Sequence, residues 1–133
     1  MKIAICGSMA FAKDMLIVKK ELEKRRHEVT VPAGTEKHAK GIIKNEDKWE
    51  KLEIDPIKAY FNEIKKNDAI IVINKDKNKI KGYVGGNSLI EIAFAYVLGK
   101  RIFLLNPIPE MSYSDEITAM KPNVINNNFD LIK

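Results

Sequence analysis

The residue with most chemical potential is Glu91, a lone carboxylate in the stretch GGNSLIEIAFAYVLGK, Gly85 to Lys100. Its neighbours Leu89, Ile90, Ile92, Ala93, Phe94 and Ala95 are apolar nearly all round, so bulk water can reach it only through a cleft. A carboxylate held in a cleft can attack an electrophilic carbon, steady a developing cation or move a proton. The spacing also allows a plain structural role. Glu91 stands three residues after Ser88, which matches a capping box in which the Glu reaches back to the cap amide. Residue types alone leave cap and catalyst even.

The residues before Glu91 suit an anion or a sugar. Gly85 and Gly86 let the backbone approach a ligand closely, and Asn87 or Ser88 is placed to cap the helix. The free amides and positive end of such a helix attract a phosphate or a sugar hydroxyl. A similar junction occurs near the start, in CGSMAF. Gly7 permits a sharp turn after a strand, Ser8 adds a hydroxyl that donates and accepts, and Phe11 offers a face on which a base can stack. The ordinary alternative is a turn, a cap and a core aromatic. No GxGxxG fingerprint is present, so a dinucleotide is not expected.

The elements that must hold these groups alternate along the chain. Lys2 to Cys6 predicts a buried strand; Phe11, Met15, Val18 and Leu22 recur at helical spacing and predict a helix over about Ala12 to Arg26. HEVTVP reads as a second strand that stops at Pro32. Residues 33 to 55 are rich in Lys and Glu and read as a mobile or partly helical excursion able to cover a site. A helix from Pro56 to Lys66 carries Ile57, Tyr60, Phe61 and Ile64 on one stripe, and the strand AIIVIN follows. After a polar connection come a helix over Asn87 to Leu98, the strand RIFLLN, a short helix from about Ser114, an edge strand in NVIN and a tail. This order predicts a single domain over residues 1–133. Its fold is α/β, a doubly wound, mainly parallel five-stranded sheet with helices on both faces, Rossmann-like or flavodoxin-like.

Composition narrows the function classes. Lys plus Arg exceed Asp plus Glu by 23 to 18, but the basic residues are interleaved with acids, so no nucleic-acid polymer is expected as partner. The single Cys6 cannot form an intramolecular disulfide, and no Cys/His spacing suits a metal. No apolar run approaches a membrane span, and MKIAIC is too short for a secretory signal, so the expectation is a cytoplasmic protein without membrane contact. No cofactor is implied.

The segments CGSMAF, FNEIKKNDAIIVI and GGNSLIEIAFAYVLGKRIFLL, in that order and spacing, resemble the nucleoside 2-deoxyribosyltransferase family, including its deoxynucleoside monophosphate N-glycosidases. The resemblance covers most of the chain outside roughly 33–55. GGNSLIE is also similar to the Gly-Gly-x-Gly-Thr-x-x-Glu loop of the cytokinin-activating phosphoribohydrolases, with Gly85 and Ser88 on the second Gly and the Thr. Both families cleave the bond between a base and a sugar.

The resemblance implies that Glu91 attacks the anomeric carbon of a nucleoside or nucleoside 5'-monophosphate and that Gly7 and Ser8 form the first ligand loop. It implies an aromatic near the base at Phe11. Asn123 resembles a segment that one subunit lends to its neighbour's site, which implies a homo-oligomer. Two positions depart from the family. Tyr60 and Gly85 stand where it carries Asp, so Tyr60 would act as proton donor or as hydrogen-bond anchor, or else is a plain core aromatic. A non-catalytic nucleotide-binding or sensor module of the same fold is the alternative expectation.

Overall fold

Aliphatic runs without polar alternation, as in IAIC, AIIV and IFL, suit strands covered on both faces. They form the centre of a five-stranded sheet in a computed structural model that describes residues 1–41 and 55–133. The strands are β1 (Lys2–Cys6), β2 (Glu28–Thr30), β3 (Ala69–Val72), β4 (Arg101–Leu104) and β5 (Asn123–Val124). Their order is β2-β1-β3-β4-β5 and every pairing is parallel. The chain winds outward from β1 to β2, then returns past β1 to build the other half. This is the doubly wound α/β arrangement with a flavodoxin-like strand order, and its direction reverses between β1 and β3.

Among the described residues the helices are α1 (Ala12–Lys24), α2 (Thr35–Ala39), α3 (Pro56–Lys65), α4 (Gly86–Val97) and α5 (Ser114–Ala119). Strand alternation sorts the core into two layers. Ile3, Ile5, Ile71 and Phe103 pack with Met15, Val18 and Leu22 of α1 on one face. Ala4, Cys6, Ile70, Val72 and Leu104 pack on the other with Ile64 of α3, Ile92 of α4 and Ile117 of α5. Because the strand period is two, a slip of one residue would turn Cys6 to the wrong face. As built, Cys6 looks toward α3 and α4. Those helices are locked together by an edge contact between Phe61 and Phe94, with ring centroids 4.9 Å apart.

Strand ends are tied by polar groups. Asp68 accepts a hydrogen bond from the Lys2 amide (2.8 Å), so this strand-start carboxylate has a structural role. Asn74, fully buried, donates to the carbonyls of Asn106 and Pro107 and accepts from the Asn106 amide, which latches the end of β3 to that of β4.

Three expectations are corrected. α1 stops at Lys24 rather than Arg26, because Arg26 already sits at φ 67°. The terminal segment, read as a tail, is packed on the domain: Ile132 is buried in the α1-side core, and Arg25 Nε donates to Asp130 Oδ1 at 2.8 Å. α4 is not buried all round, since Tyr96 and Val97 are exposed. Of the expected excursion over 33–55, α2 is seen, with Thr35 buried and its hydroxyl donating to the Pro32 carbonyl. Residues 42–54 lie outside the described residues.

Candidate active site

The carboxyl ends of β1 and β2 open into a cavity of about 380 Å³ on the α3–α4 face. That size falls in the range of small-molecule sites. Its walls come from four places: Gly7 and Met9 after β1, Thr30 to Ala33 after β2, Ile57, Tyr60 and Glu63 on α3, and Asn87, Ile90, Glu91 and Phe94 on α4. Ile57, Ile90 and Phe94 supply apolar surface. Glu91, Glu63, Asn87 and Tyr60 supply the polar groups.

Glu91 reaches this cavity because of where α4 begins. Its N-cap is Gly85 (φ −77°, ψ 172°) with no side-chain cap bond, and the Gly85 carbonyl accepts the first helical bond from Leu89. Asn87 and Ser88 are thus inside the first turn, not at the cap, and Ser88 is buried. The capping-box reading fails on this geometry, because Glu91 lies almost two turns beyond the cap. Gly85 and Gly86 have ordinary backbone angles, so no turn requires them to be glycine. Nothing lies within 4 Å of the place a Gly86 side chain would occupy.

The half-buried Glu91 carboxylate is held from the sheet. Cys6, fully buried at the end of β1, donates its thiol hydrogen to it. Burial pushes the thiol pKa well up, and the charge of Glu91 and this hydrogen bond push it further, so Cys6 stays protonated and remains a donor. Tyr60 is anchored one residue earlier on the same strand: its hydroxyl donates to the Ile5 carbonyl. Burial raises the Tyr60 pKa well above normal, helped by Cys6 and by the charges of Glu91 and Glu63. A phenol committed to a carbonyl and made less acidic is a poor proton source. Of its two expected roles, Tyr60 here has the geometry of the anchor.

Gly7 has φ 154°, and a side chain there would meet Met15 Cε at 3.1 Å and the Ile73 carbonyl at 3.3 Å. The backbone itself therefore forms that part of the cavity wall. Ser8 adjoins the cavity without lining it; its oxygen accepts from the Ala10 amide (3.2 Å) and from Lys77 Nζ (3.0 Å). Phe11 is in the core on the α1 face, where it lines a separate open cleft with Asp14 and Lys75 rather than the Glu91 cavity. Gly85, Gly86 and Ser88 do not line the Glu91 cavity. Asn123 opens β5, beyond β3 and β4 from β1, and its amide donates to the Ile102 carbonyl.

Sequence reasoning missed Glu63, which lines the cavity, and Cys6, which lies buried behind Glu91 without lining it. Glu63 follows Tyr60 by three residues, a spacing that puts both on one helix face, and that signal was available. Cys6 has no such signal, because only the sheet register turns it toward Glu91. Among the described residues no group of three His, Cys, Asp or Glu side chains could hold a metal ion, and no helix is long and apolar enough to cross a membrane. No protein-family model matches the chain, and no curated protein matches it either. The functional reading must rest on the geometry.

Proposed function

We propose that the chain cleaves or exchanges the N-glycosidic bond of a nucleoside or nucleoside 5'-monophosphate, with Glu91 as nucleophile. One observation carries this reading. A carboxylate coupled to the buried Cys6 thiol lines a cavity of nucleoside size, walled by apolar side chains on which a flat base can lie. Attack by Glu91 on the anomeric carbon expels the base and leaves a glycosyl ester, which water or a second base then resolves. Lys77 brings a cation to Ser8, and the first-turn amides of α4 lie beside Asn87, which supports a 5'-phosphate as the charged end of the substrate.

The same reading makes the protein a homo-oligomer. Within one chain Asn123 stands at the far edge of the sheet from the cavity, so it can serve a site only in a second copy. Sedimentation showing a monomer removes that role. The single cysteine, a buried free thiol, suits a reducing cytoplasm.

Incubation with a panel of ribo- and deoxyribonucleosides and their 5'-monophosphates is the test. Free base should appear with at least one member, and Glu91→Ala should abolish it. No release from any member sinks the enzyme reading. Thermal stabilisation by a nucleotide without product, little changed in Glu91→Gln, would instead identify a binding or sensor module.

A further inference from the structure

A base leaves a sugar most readily when a proton reaches it as the bond breaks. Neither departing position can supply one here: Gly85 has no side chain, and the Tyr60 hydroxyl donates to the Ile5 carbonyl. Glu63 lies one helical turn beyond Tyr60 and lines the same cavity as Glu91. We propose that Glu63 is the proton donor to the departing base, and then the group that takes a proton from the incoming water. The inference rests on the N-glycosidic reading above.

Its basis is the placement of two carboxylates on facing helices. Glu63 is on α3 and Glu91 on α4, and the Phe61–Phe94 contact fixes those helices against each other. Tyr60 lies between them in an electrostatic sense, because its hydroxyl feels the charge of both. The backbone at Glu63 is held too, since its carbonyl accepts from Asn67 Nδ2 at 2.7 Å and from the Lys66 amide at 3.1 Å. Two carboxyl groups across a site, one attacking and one carrying the proton, are the arrangement that glycoside chemistry uses.

The steps balance. In the first, the bond from C1' to the base nitrogen breaks and its electron pair goes to the base. The Glu63 carboxyl proton passes to the base while a Glu91 oxygen bonds to C1'. In the second, the Glu63 carboxylate takes a proton from water, the water oxygen bonds to C1', and the ester electron pair returns to Glu91. No oxidant, reductant or metal is needed.

The experiment measures base release by wild type, Glu63→Gln and Glu63→Ala on the nucleotide that wild type cleaves fastest. A 4-nitrophenyl glycoside of the same sugar, whose nitrophenolate leaves without a proton, serves as second substrate. Loss of a general acid costs about a hundredfold or more. Glu63→Gln should therefore slow release of the natural base by about that factor at an unchanged melting temperature, while the first-turnover burst of nitrophenolate, which precedes the water step, changes less than about threefold in rate. Added formate should restore part of the loss in Glu63→Ala, where it fits the vacated space, but not in Glu63→Gln. A Glu63→Gln rate close to wild type on the natural base overturns the proposal. So does a slowing accompanied by neither leaving-group selectivity nor formate rescue. If wild type itself releases no base, it is the N-glycosidic reading that fails.

Discussion

The thiol of Cys6, the last residue of β1, is coupled by charge and hydrogen bonding to the carboxylate of Glu91, midway along α4. The pair links the end of β1 to the middle of α4 through a side chain with no exposure to solvent. A hydrogen bond from a buried donor restricts the rotation of a carboxylate, and a group so held is pre-organised for attack in one direction.

Cys6→Ala should consequently lower kcat about ten- to a hundredfold with KM little changed, because the carboxylate loses its orientation rather than the pocket its shape. The lost sulfur also leaves a small void, and stability should fall by about 1 kcal/mol. Cys6→Ser keeps a donor and should retain most of the activity. Steady-state kinetics on the three proteins decides the matter: an equal fall in both variants would mean that packing, not the hydrogen bond, is what Cys6 supplies.

Alkaline pH should destabilise the fold by a traceable route. The pKa of Cys6 and that of Tyr60 are both raised on folding, from ordinary values of 9.0 and 10.0. Above about pH 9 the unfolded chain releases these protons while the folded chain keeps them, so the unfolded state binds fewer protons and stability declines as pH rises. Each group contributes a slope of up to about 1.4 kcal/mol per pH unit over its window, and nothing below its ordinary value. Urea melts at pH 7, 9 and 10.5 measure this. Cys6→Ser, whose hydroxyl does not ionise, should flatten the decline near pH 9 and leave the later Tyr60 component.

Two glycines should separate folding from binding. Gly7→Ala forces a side chain into a left-handed φ against Met15 and the Ile73 carbonyl, and should cost about 1–3 kcal/mol. Gly86→Ala meets no atom within 4 Å, on a helix whose first turn has ordinary angles, so its melting temperature should stay within about a degree or rise slightly. If a phosphate approaches the first-turn amides of α4, the same methyl group should raise KM for nucleoside monophosphates. Unchanged KM would remove those amides from the site.

Tyr60→Phe tests anchor against acid. Removing the hydroxyl leaves the Ile5 carbonyl without that donor and should cost about 1–3 kcal/mol in stability. Base release at a temperature where the variant stays folded should fall less than about tenfold. A loss of a hundredfold or more, with a normal melt, would return the proton-donor role to Tyr60.

Much of the architecture was readable along the chain because its physics is local. The apolar strands, the amphipathic stripe of α1 and the apolar face of α3 each follow from spacing within a dozen residues, and the alternation of strand and helix implies a parallel, doubly wound sheet. Glu91 was legible as an anomaly for the same reason: one charge in an apolar helix. Its rival explanation was not decidable locally. Whether Ser88 or Gly85 caps α4 depends on how the preceding polar connection enters the helix, and a shift of three residues turns a cap partner into a cavity group.

Phe11 and Ser8 show the same limit. Each has a residue type that suits a ligand, yet Phe11 is drawn into the α1 core and Ser8 to Lys77 by contacts between distant segments. The sequence by itself determined which residues form strands and helices, and that a carboxylate is set into one of them, because hydrophobic period and turn chemistry act over a few neighbours. Only the tertiary structure decided that Tyr60, Glu63 and Glu91 meet around one cavity, with Cys6 buried behind Glu91. Strand register and helix packing bring side chains from β1, α3 and α4 together, and no spacing within a single segment encodes that meeting.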